Sequence, residues 1–320
     1  MRVLITGGAG FIGSHIVDAC RANGHEPFVI DDLSSGSKAN LPADVPLYQV
    51  DICDQPKLAK VFQEVRPEAV CHQAAQMSVS RSVREPAFDA QVNVLGLIQV
   101  FDEAVKVGCK RIVFASSGGV LYGDVTEPAD ENTPSGPISP YGISKWAGEQ
   151  YLQFFVREHG ITGVAMRYAN VYGPRQNPHG EAGVVAIFCK KKLAGEGAVV
   201  NGDGKYDRDY VFGPDVAAAN VKAMTADIPG GFMAFNIGTA IKTDVNQLEG
   251  AIREELQKIW TKTGRTGTVP AAGHGPARAG DLRSSVIDPT RAGKILGWKP
   301  TVTLAEGIQR TVKWFADHAG

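Results

Sequence analysis

The chain has 320 residues, enough for a sizeable core and for one large or two modest domains. Hydrophobic residues make up 43% and charged residues 21%, and the net charge is -1, so no bulk attraction to nucleic acid or an anionic membrane is expected. No run of 18 or more apolar residues occurs, which argues against a membrane-spanning helix. In chain order, RVLIT (residues 2–6) reads as a strand entered at once, with no basic and apolar leader before it. PFVID (27–31), LYQVD (47–51), AVCHQAA (69–75), RIVFASS (111–117) and GVAMRYAN (163–170) read as five further strands. Amphipathic stretches at 12–23, 56–65 and 92–107 lie between them. Strands that are nearly continuously apolar, alternating with helices, predict an α/β fold: a doubly wound parallel sheet covered on both faces. After residue 170 the texture becomes rich in Gly, Pro and charge, with helices expected at 184–193, within 241–268 and at 308–315. This half reads as a smaller mixed α/β domain that carries a second ligand. The five cysteines (Cys20, Cys53, Cys71, Cys109, Cys189) are odd in number and far apart, without metal-ligand spacing. They read as reduced thiols in a cytoplasmic protein with no metal centre.

TGGAGFIG (residues 6–13) follows the first strand and opens the first helix. Its glycines at 7, 10 and 13 form a GxxGxxG pattern. Glycine permits the tight turn, and the helix N-terminus presents free N–H groups and a positive dipole end to a pyrophosphate. The context on both sides is the one a dinucleotide loop requires. The second strand ends in Asp31, 18 residues past Gly13, where a carboxylate can accept both hydroxyls of an adenosine ribose. It would repel a 2′-phosphate, which favours NAD over NADP, and Asp32 adds further negative charge.

SPYGISK (residues 139–145) places Tyr141 and Lys145 on one helix face at i, i+4 spacing. Ser139 suits the N-cap, Pro140 the first helical position and Gly160 the stop. A phenol beside an ammonium ionises below its ordinary value near 10.

With the glycine loop, FASSGGVLYG and YGISK in place, the sequence resembles the extended short-chain dehydrogenase/reductase family, and within it the UDP-glucose (UDP-galactose) 4-epimerase group of nucleotide-sugar epimerases. The resemblance extends over Asn93, RYANVYGPRQ (167–176), RDYV (208–211), Asp215, FNIGT (235–239), RAGD (278–281) and LGWKP (296–300). It implies a Rossmann domain of residues 1–170 with a return segment at 212–238, and a nucleotide-sugar domain of 171–211 and 239–320. Gly7, Gly10, Phe11, Ile12 and Gly13 would cradle the NAD pyrophosphate. Asp31, Asp32, Ser35 and Gly36 would hold the adenosine ribose, with Asp51 and Ile52 flanking the adenine. Ala74, Ala75 and Asn93 would line the path to the nicotinamide, and Tyr168 would contact its ribose or ring. Lys145 would bond the nicotinamide ribose. Tyr141 would act as base on the sugar 4-hydroxyl, Lys145 would lower its pKa with help from the nicotinamide charge, and Ser117 would position the sugar oxygen. Arg208 and Arg278 would clamp the diphosphate, Asn170 would donate to a phosphate oxygen, Asn201 would meet the base, and Asp281 would accept from the uridine ribose. The family pairs subunits through helices near 92–107 and 139–160, so a homodimer is expected.

Departures from the family pattern sharpen the reading. FASSGGVLYG is one residue longer between serine and the YG pair than in many relatives. Counting from Phe114 selects Ser117, and counting back from Tyr122 selects Gly118, which has no hydroxyl; the chemistry needs the oxygen of Ser117. Ser116, next on the strand, should face away. Dehydratases and decarboxylating relatives carry acids where Gly119 and Val120 stand here, which disfavours elimination. Ser285 replaces a bulky tyrosine of some epimerases and leaves room for N-acetyl sugars, whereas Asn177 cannot supply the charge that a uronic acid needs. The expected activity is inversion at carbon 4 of a UDP-hexose. The alternatives are an epimerase or reductase for another nucleotide sugar (dTDP-, GDP-sugar or UDP-glucuronate), or a non-catalytic NAD-binding protein.

Overall fold

The computed structural model describes residues 1–178, 183–277 and 281–318. Seven strands form one parallel sheet: β1 (Arg2–Thr6), β2 (Glu26–Asp31), β3 (Leu47–Gln49), β4 (Ala69–His72), β5 (Arg111–Ser117), β6 (Thr162–Tyr168) and β7 (Phe232–Ile237), in the order β7-β6-β5-β4-β1-β2-β3. The apolar runs are continuous because both faces are covered. On one face, Ile5, Val113, Met166 and Phe235 pack with Ile16 and Val216 of helices Phe11–Ala22 and Gly213–Thr225. On the other, Leu4, Val70 and Phe114 pack with Phe62, Phe101 and Leu152 of helices Gln55–Val65, Leu97–Lys106 and Pro140–His159. Strand order reverses between β1 and β4. Ligands of such sheets bind in the crevice at the carboxyl ends beside that reversal.

Two features differ from the strand pattern read in the sequence. The run at 163–170 is not one strand. β6 ends at Tyr168, and Asn170–Tyr172 pairs instead with Tyr210–Phe212, away from the central sheet. A seventh strand, which the sequence pattern does not single out, is FMAFNI of β7, which adds to β6 with Ile237 opposite Tyr168. The strand lies far beyond β6 in the chain, so no local alternation of strand and helix announces the pairing.

A third core gathers Tyr172, Phe188, Leu248, Trp260, Ile308 and Phe315 between helices Val184–Leu193, Val245–Lys262 and Leu304–Asp317. Short parallel pairs join Val199–Asn201 to Gly273–Gly275 and Asp207–Arg208 to Ser284–Ser285. The buried Asp215 carboxylate accepts from the Thr301 and Val302 amides, and its carbonyl accepts from Trp298 Nε1. That fixes the LGWKP turn. Arg175 has φ 66° and bonds Asp18 at 2.7 Å, while His15 Nε2 meets the Pro174 carbonyl at 3.0 Å. The turn at 173–175 is thereby latched to the first helix.

Candidate active site

The glycine loop is closed by contacts that exclude side chains. Gly7 has φ 67°, and a Cβ there would lie 2.7 Å from the Ala74 nitrogen. A Cβ on Gly13 would lie 2.1 Å from the Gly7 carbonyl oxygen. The helix that follows begins at Phe11 with Gly10 as N-cap and no side chain capping it, so its first N–H groups remain available to an anion. Asp31, at the end of β2, accepts from the Ala9 and Leu33 amides at 2.9 and 2.8 Å. Its carboxyl is held above the ordinary range, by burial first, with those backbone bonds opposing. Leu33 adopts a left-handed φ of 61°, and a Cβ on Gly36 would reach Asp31 Oδ1 at 2.9 Å, so residues 33–36 fold tightly over the carboxylate. Ser35 is exposed beside them. Asp32 is exposed and bonds Ser34, and Asp51 is exposed and accepts from the Cys53 amide. Ile52 is buried, and a Cβ on Gly96 would lie 2.9 Å from its Cδ1.

At the end of β5, the Ser117 side chain lies beside the Tyr141 phenol and favours its ionised form. Ser116 faces away, donating to Glu149 Oε1 at 2.5 Å. A Cβ on Gly118 would collide with Ile287, so the position after Ser117 is turned from the phenol. Tyr141 opens its helix as expected: Ser139 accepts from the Gly142 amide, Pro140 is the first residue and Gly160 ends the helix with a left-handed φ of 64°. Lys145, one turn on, is buried, donates to the Ala115 carbonyl at 2.9 Å and lies 5.7 Å from the Tyr141 ring centroid. Lys145, with help from the nicotinamide charge, is expected to lower the phenol; the protein without the cofactor does not do so by itself. The protein's own groups push Tyr141 up to about 12, through burial first and Asp89 second, with Ser117 opposing. Lys145 is pushed down to about 8 by its burial, which Asp89 counters. His72, on β4 below Lys145, meets the Thr6 hydroxyl at 2.7 Å and is held neutral by burial, down to about 3.

Ala74 and Ala75 are half-buried beside the glycine loop. Asn93 sits in a widened helical turn, Gln91–Gly96, with i→i+5 bonding, a feature common at functional sites. Its amide is engaged with protein: Oδ1 accepts from the Gln76 amide at 2.8 Å, and Nδ2 reaches the Gln76 carbonyl and Asp89. Asn93 therefore acts on the segment that carries Ala74 and Ala75. Tyr168 is likewise deep, its hydroxyl bonded to Gln73 and Asn220. Sequence reasoning missed Asp89, Gln76 and Ser82, whose hydroxyl accepts the Tyr141 amide at 3.1 Å. The signal for Asp89 was its i, i+4 spacing to Asn93.

On the other side of the crevice, Asn170 Nδ2 is buried and has no protein partner. A buried amide donor without a partner is costly, and a ligand oxygen would satisfy it. Arg208 pairs with Asp281 at 2.6 Å, so the expected phosphate clamp and ribose acceptor hold each other. Asn201 is exposed on its short strand, opposite Gly275. Arg278 lies outside the described residues. Ser285 turns inward and donates to the Gly119 carbonyl at 3.1 Å. A Cβ on Gly119 would meet only the Ser117 and Ser285 hydroxyls, at 3.8 and 4.0 Å, so open space lies beside Ser117 and no carboxylate reaches it from 119.

Comparison with known proteins places this arrangement. The model of the NAD dependent epimerase/dehydratase family matches residues 3–238. The chain belongs to that family. A UDP-glucose 4-epimerase of Mycolicibacterium smegmatis is 44% identical over 98% of each chain. The crystal structure of a Thermotoga maritima UDP-glucose 4-epimerase with UDP-glucose superposes with a TM-score of 0.92 at 45% identity, covering 100% of both chains. That of a Thermus thermophilus UDP-glucose 4-epimerase in complex with NAD has a TM-score of 0.90 at 42% identity, covering 98% of this chain and 99% of that one. The residues of this family member fit such a cofactor: a glycine cradle that a Cβ would fill, free helix N–H groups and an acid at the end of β2. Among the described residues no three His, Cys, Asp or Glu side chains gather as a metal site, and no helix is long and apolar enough to cross a membrane.

Proposed function

We propose that this protein is an NAD-dependent UDP-hexose 4-epimerase. The observation that carries the reading is the Tyr141 phenol set beside Ser117 at the carboxyl edge of the sheet, with Lys145 one turn away and no acid at 119 or 120. Gly7, Gly10, Phe11, Ile12 and Gly13 hold the pyrophosphate, Asp31, Asp32, Ser35 and Gly36 the adenosine ribose, and Asp51 and Ile52 flank the adenine. Bound NAD supplies reversible hydride acceptance from carbon 4 of the sugar. Tyr141 takes the proton from the 4-hydroxyl and returns it after the flat 4-keto sugar has turned over. Ser117 holds that oxygen through its hydroxyl. Lys145 bonds the nicotinamide ribose and places a cation near the phenolate, and the cofactor's positive charge adds to it. Proton transfer is efficient when the base lies near the working pH, so the phenol, held high by the protein alone, is lowered most when the oxidised cofactor is beside it. Asn170, Arg208 and Arg278 hold the diphosphate, for which a fixed guanidinium fork is suited. Asp281 accepts from the uridine ribose, which requires Arg208 to turn part of its fork from Asp281 to phosphate. Asn201 meets the base.

The inward, small Ser285 leaves the sugar pocket open near carbon 2, so N-acetylhexosamines are admitted as well as hexoses. Incubation with UDP-glucose, UDP-GlcNAc and UDP-glucuronate, followed by chromatography, tests the reading. We expect the first two to yield their 4-epimers and the uronate to remain unchanged. Absence of product from all three would remove the epimerase reading.

The reading extends to a homodimer in the cytoplasm. Leu95, Ile143, Trp146 and Phe154 leave apolar side chains exposed on the two helices where the family pairs subunits. Exposed apolar patches of this kind mark association surfaces. All five cysteines are free thiols. Trp146→Glu is expected to convert the protein to a monomer in sedimentation velocity, while the parent sediments as a dimer; a parent that sediments as a monomer contradicts the pairing.

A further inference from the structure

We propose that Asp89 is a positioning residue for the catalytic pair, and that its buried charge sets how readily Tyr141 releases and recovers its proton. The proposal rests on the reading of Tyr141 as the acid–base group. Asp89 is 1% exposed, yet its hydrogen-bond donors are two neutral amides, Gln76 Nε2 at 2.8 Å and Asn93 Nδ2 at 3.0 Å. Asn93 binds both backbone groups of Gln76 and reaches Ser144 Oγ at 3.3 Å. Ser144 in turn donates to the Tyr141 carbonyl at 2.8 Å. One carboxylate thus ties together the segment after β4, the widened turn and the first turn of the catalytic helix. Among the described residues no lysine or arginine hydrogen-bonds this carboxylate, so its charge acts through space on the groups around it, Lys145 among them.

The groups that feel this field face it from the catalytic helix. Asp89 acts on both Tyr141 and Lys145, opposing ionisation of the phenol and favouring the ammonium. Among the described residues, the other ionisable groups on the neighbouring elements are neutral or engaged, Arg84 included. His72 on β4 is held neutral. Arg81 of the Val79–Arg84 helix bonds Glu85 and covers the Phe88 ring. Beyond the widened turn, Lys106 pairs with Asp102 and Glu103. The functional sense follows from the two halves of an inversion. A phenol made acidic by every neighbour would give up its proton easily but would return it poorly. A fixed anion keeps the phenol protonated until a cation arrives, and restores its basicity when that cation's charge is discharged. Asp89 provides the counterweight.

Asp89→Asn removes the charge with little change of shape. Two measurements test it. The first is ultraviolet titration of tyrosinate, taken as the difference between each protein and its Tyr141→Phe derivative, which needs no turnover. The phenol is expected to ionise about one pH unit lower in Asp89→Asn, the lower end of the effect of a nearby charge. The second is the acid limb of the kcat/KM profile, expected to move down by the same amount. Asp89→Glu keeps the charge and should leave both positions unmoved even if turnover falls; Asp89→Ser, which removes the charge in a smaller volume, should reproduce the Asn shift and serves if the Asn variant does not fold. Unmoved titrations in the Asn or Ser variants, or a Glu variant that shifts as they do, would overturn the proposal. Loss of the epimerase reading would show in the product assay and would leave the phenol titration interpretable.

Discussion

Tyr141→Phe is expected to lower kcat by about 100-fold or more, the scale of positioned acid–base catalysis. The variant keeps the ring and removes only the hydroxyl beside Ser117, and the ring's neighbours Lys145 and Ala115 retain their own contact. Thermal stability should therefore stay close to the parent's, and NAD should bind with similar affinity by fluorescence titration. Steady-state turnover of UDP-glucose is the decisive measurement. Activity within a few-fold of the parent would mean that another group moves the proton, and would leave Ser117 and Lys145 as structural neighbours of a bystander.

The second large effect is expected at Gly13→Ala. The added methyl would lie 2.1 Å from the Gly7 carbonyl oxygen and 2.8 Å from Gly8 Cα, both backbone, so no flexible side chain can yield. The helix start and the loop must separate. Overpacking of this kind costs about 1–3 kcal/mol, and a tenfold change in affinity corresponds to about 1.4 kcal/mol. The dissociation constant for NAD should rise by about tenfold or more, with a lower melting temperature, as followed by calorimetry and thermal unfolding. Gly250→Ala is the control. It lies within helix Val245–Lys262 with nothing within 4 Å of the new methyl, so it should leave NAD binding unchanged and stabilise by about 0.5–1 kcal/mol through helix propensity. An unaltered NAD affinity in Gly13→Ala would show that the loop does not clasp the cofactor.

The parts of the site that were legible in the sequence are those governed by local rules. The loop after β1, the acid at the end of β2 and the tyrosine one residue into a capped helix all depend on neighbours within a few positions. Ser117 was separable from Gly118 in the sequence on chemical need alone. What stayed hidden depends on distant packing. β7 could not be placed by alternation, because segments that belong to the third core lie between it and its partner β6. The break at Ala169 was invisible because GVAMRYAN is apolar enough for one strand; only the bonding of Asn170–Tyr172 to Tyr210–Phe212 divides it. Asp89 was missed because a single acid in a polar helical stretch looks like a solvated face. Its burial comes from the Gln76 segment and the catalytic helix closing over it. The i, i+4 lysine is visible in sequence, while the burial and the through-space acid that push the Tyr141 phenol up in the protein alone are not.

The latch of Arg175 onto Asp18 and of the Pro174 carbonyl onto His15 has a further consequence. It joins the turn beside Asn170 to the very helix whose first residues would face the pyrophosphate under the proposed function. The helix after the glycine loop and the segment after β6 are consequently pinned to each other. Under the proposed inversion, with these two segments joined, the rotation that brings both faces of one sugar to the same phenol is expected in the guest, on the bonds of its own diphosphate tail.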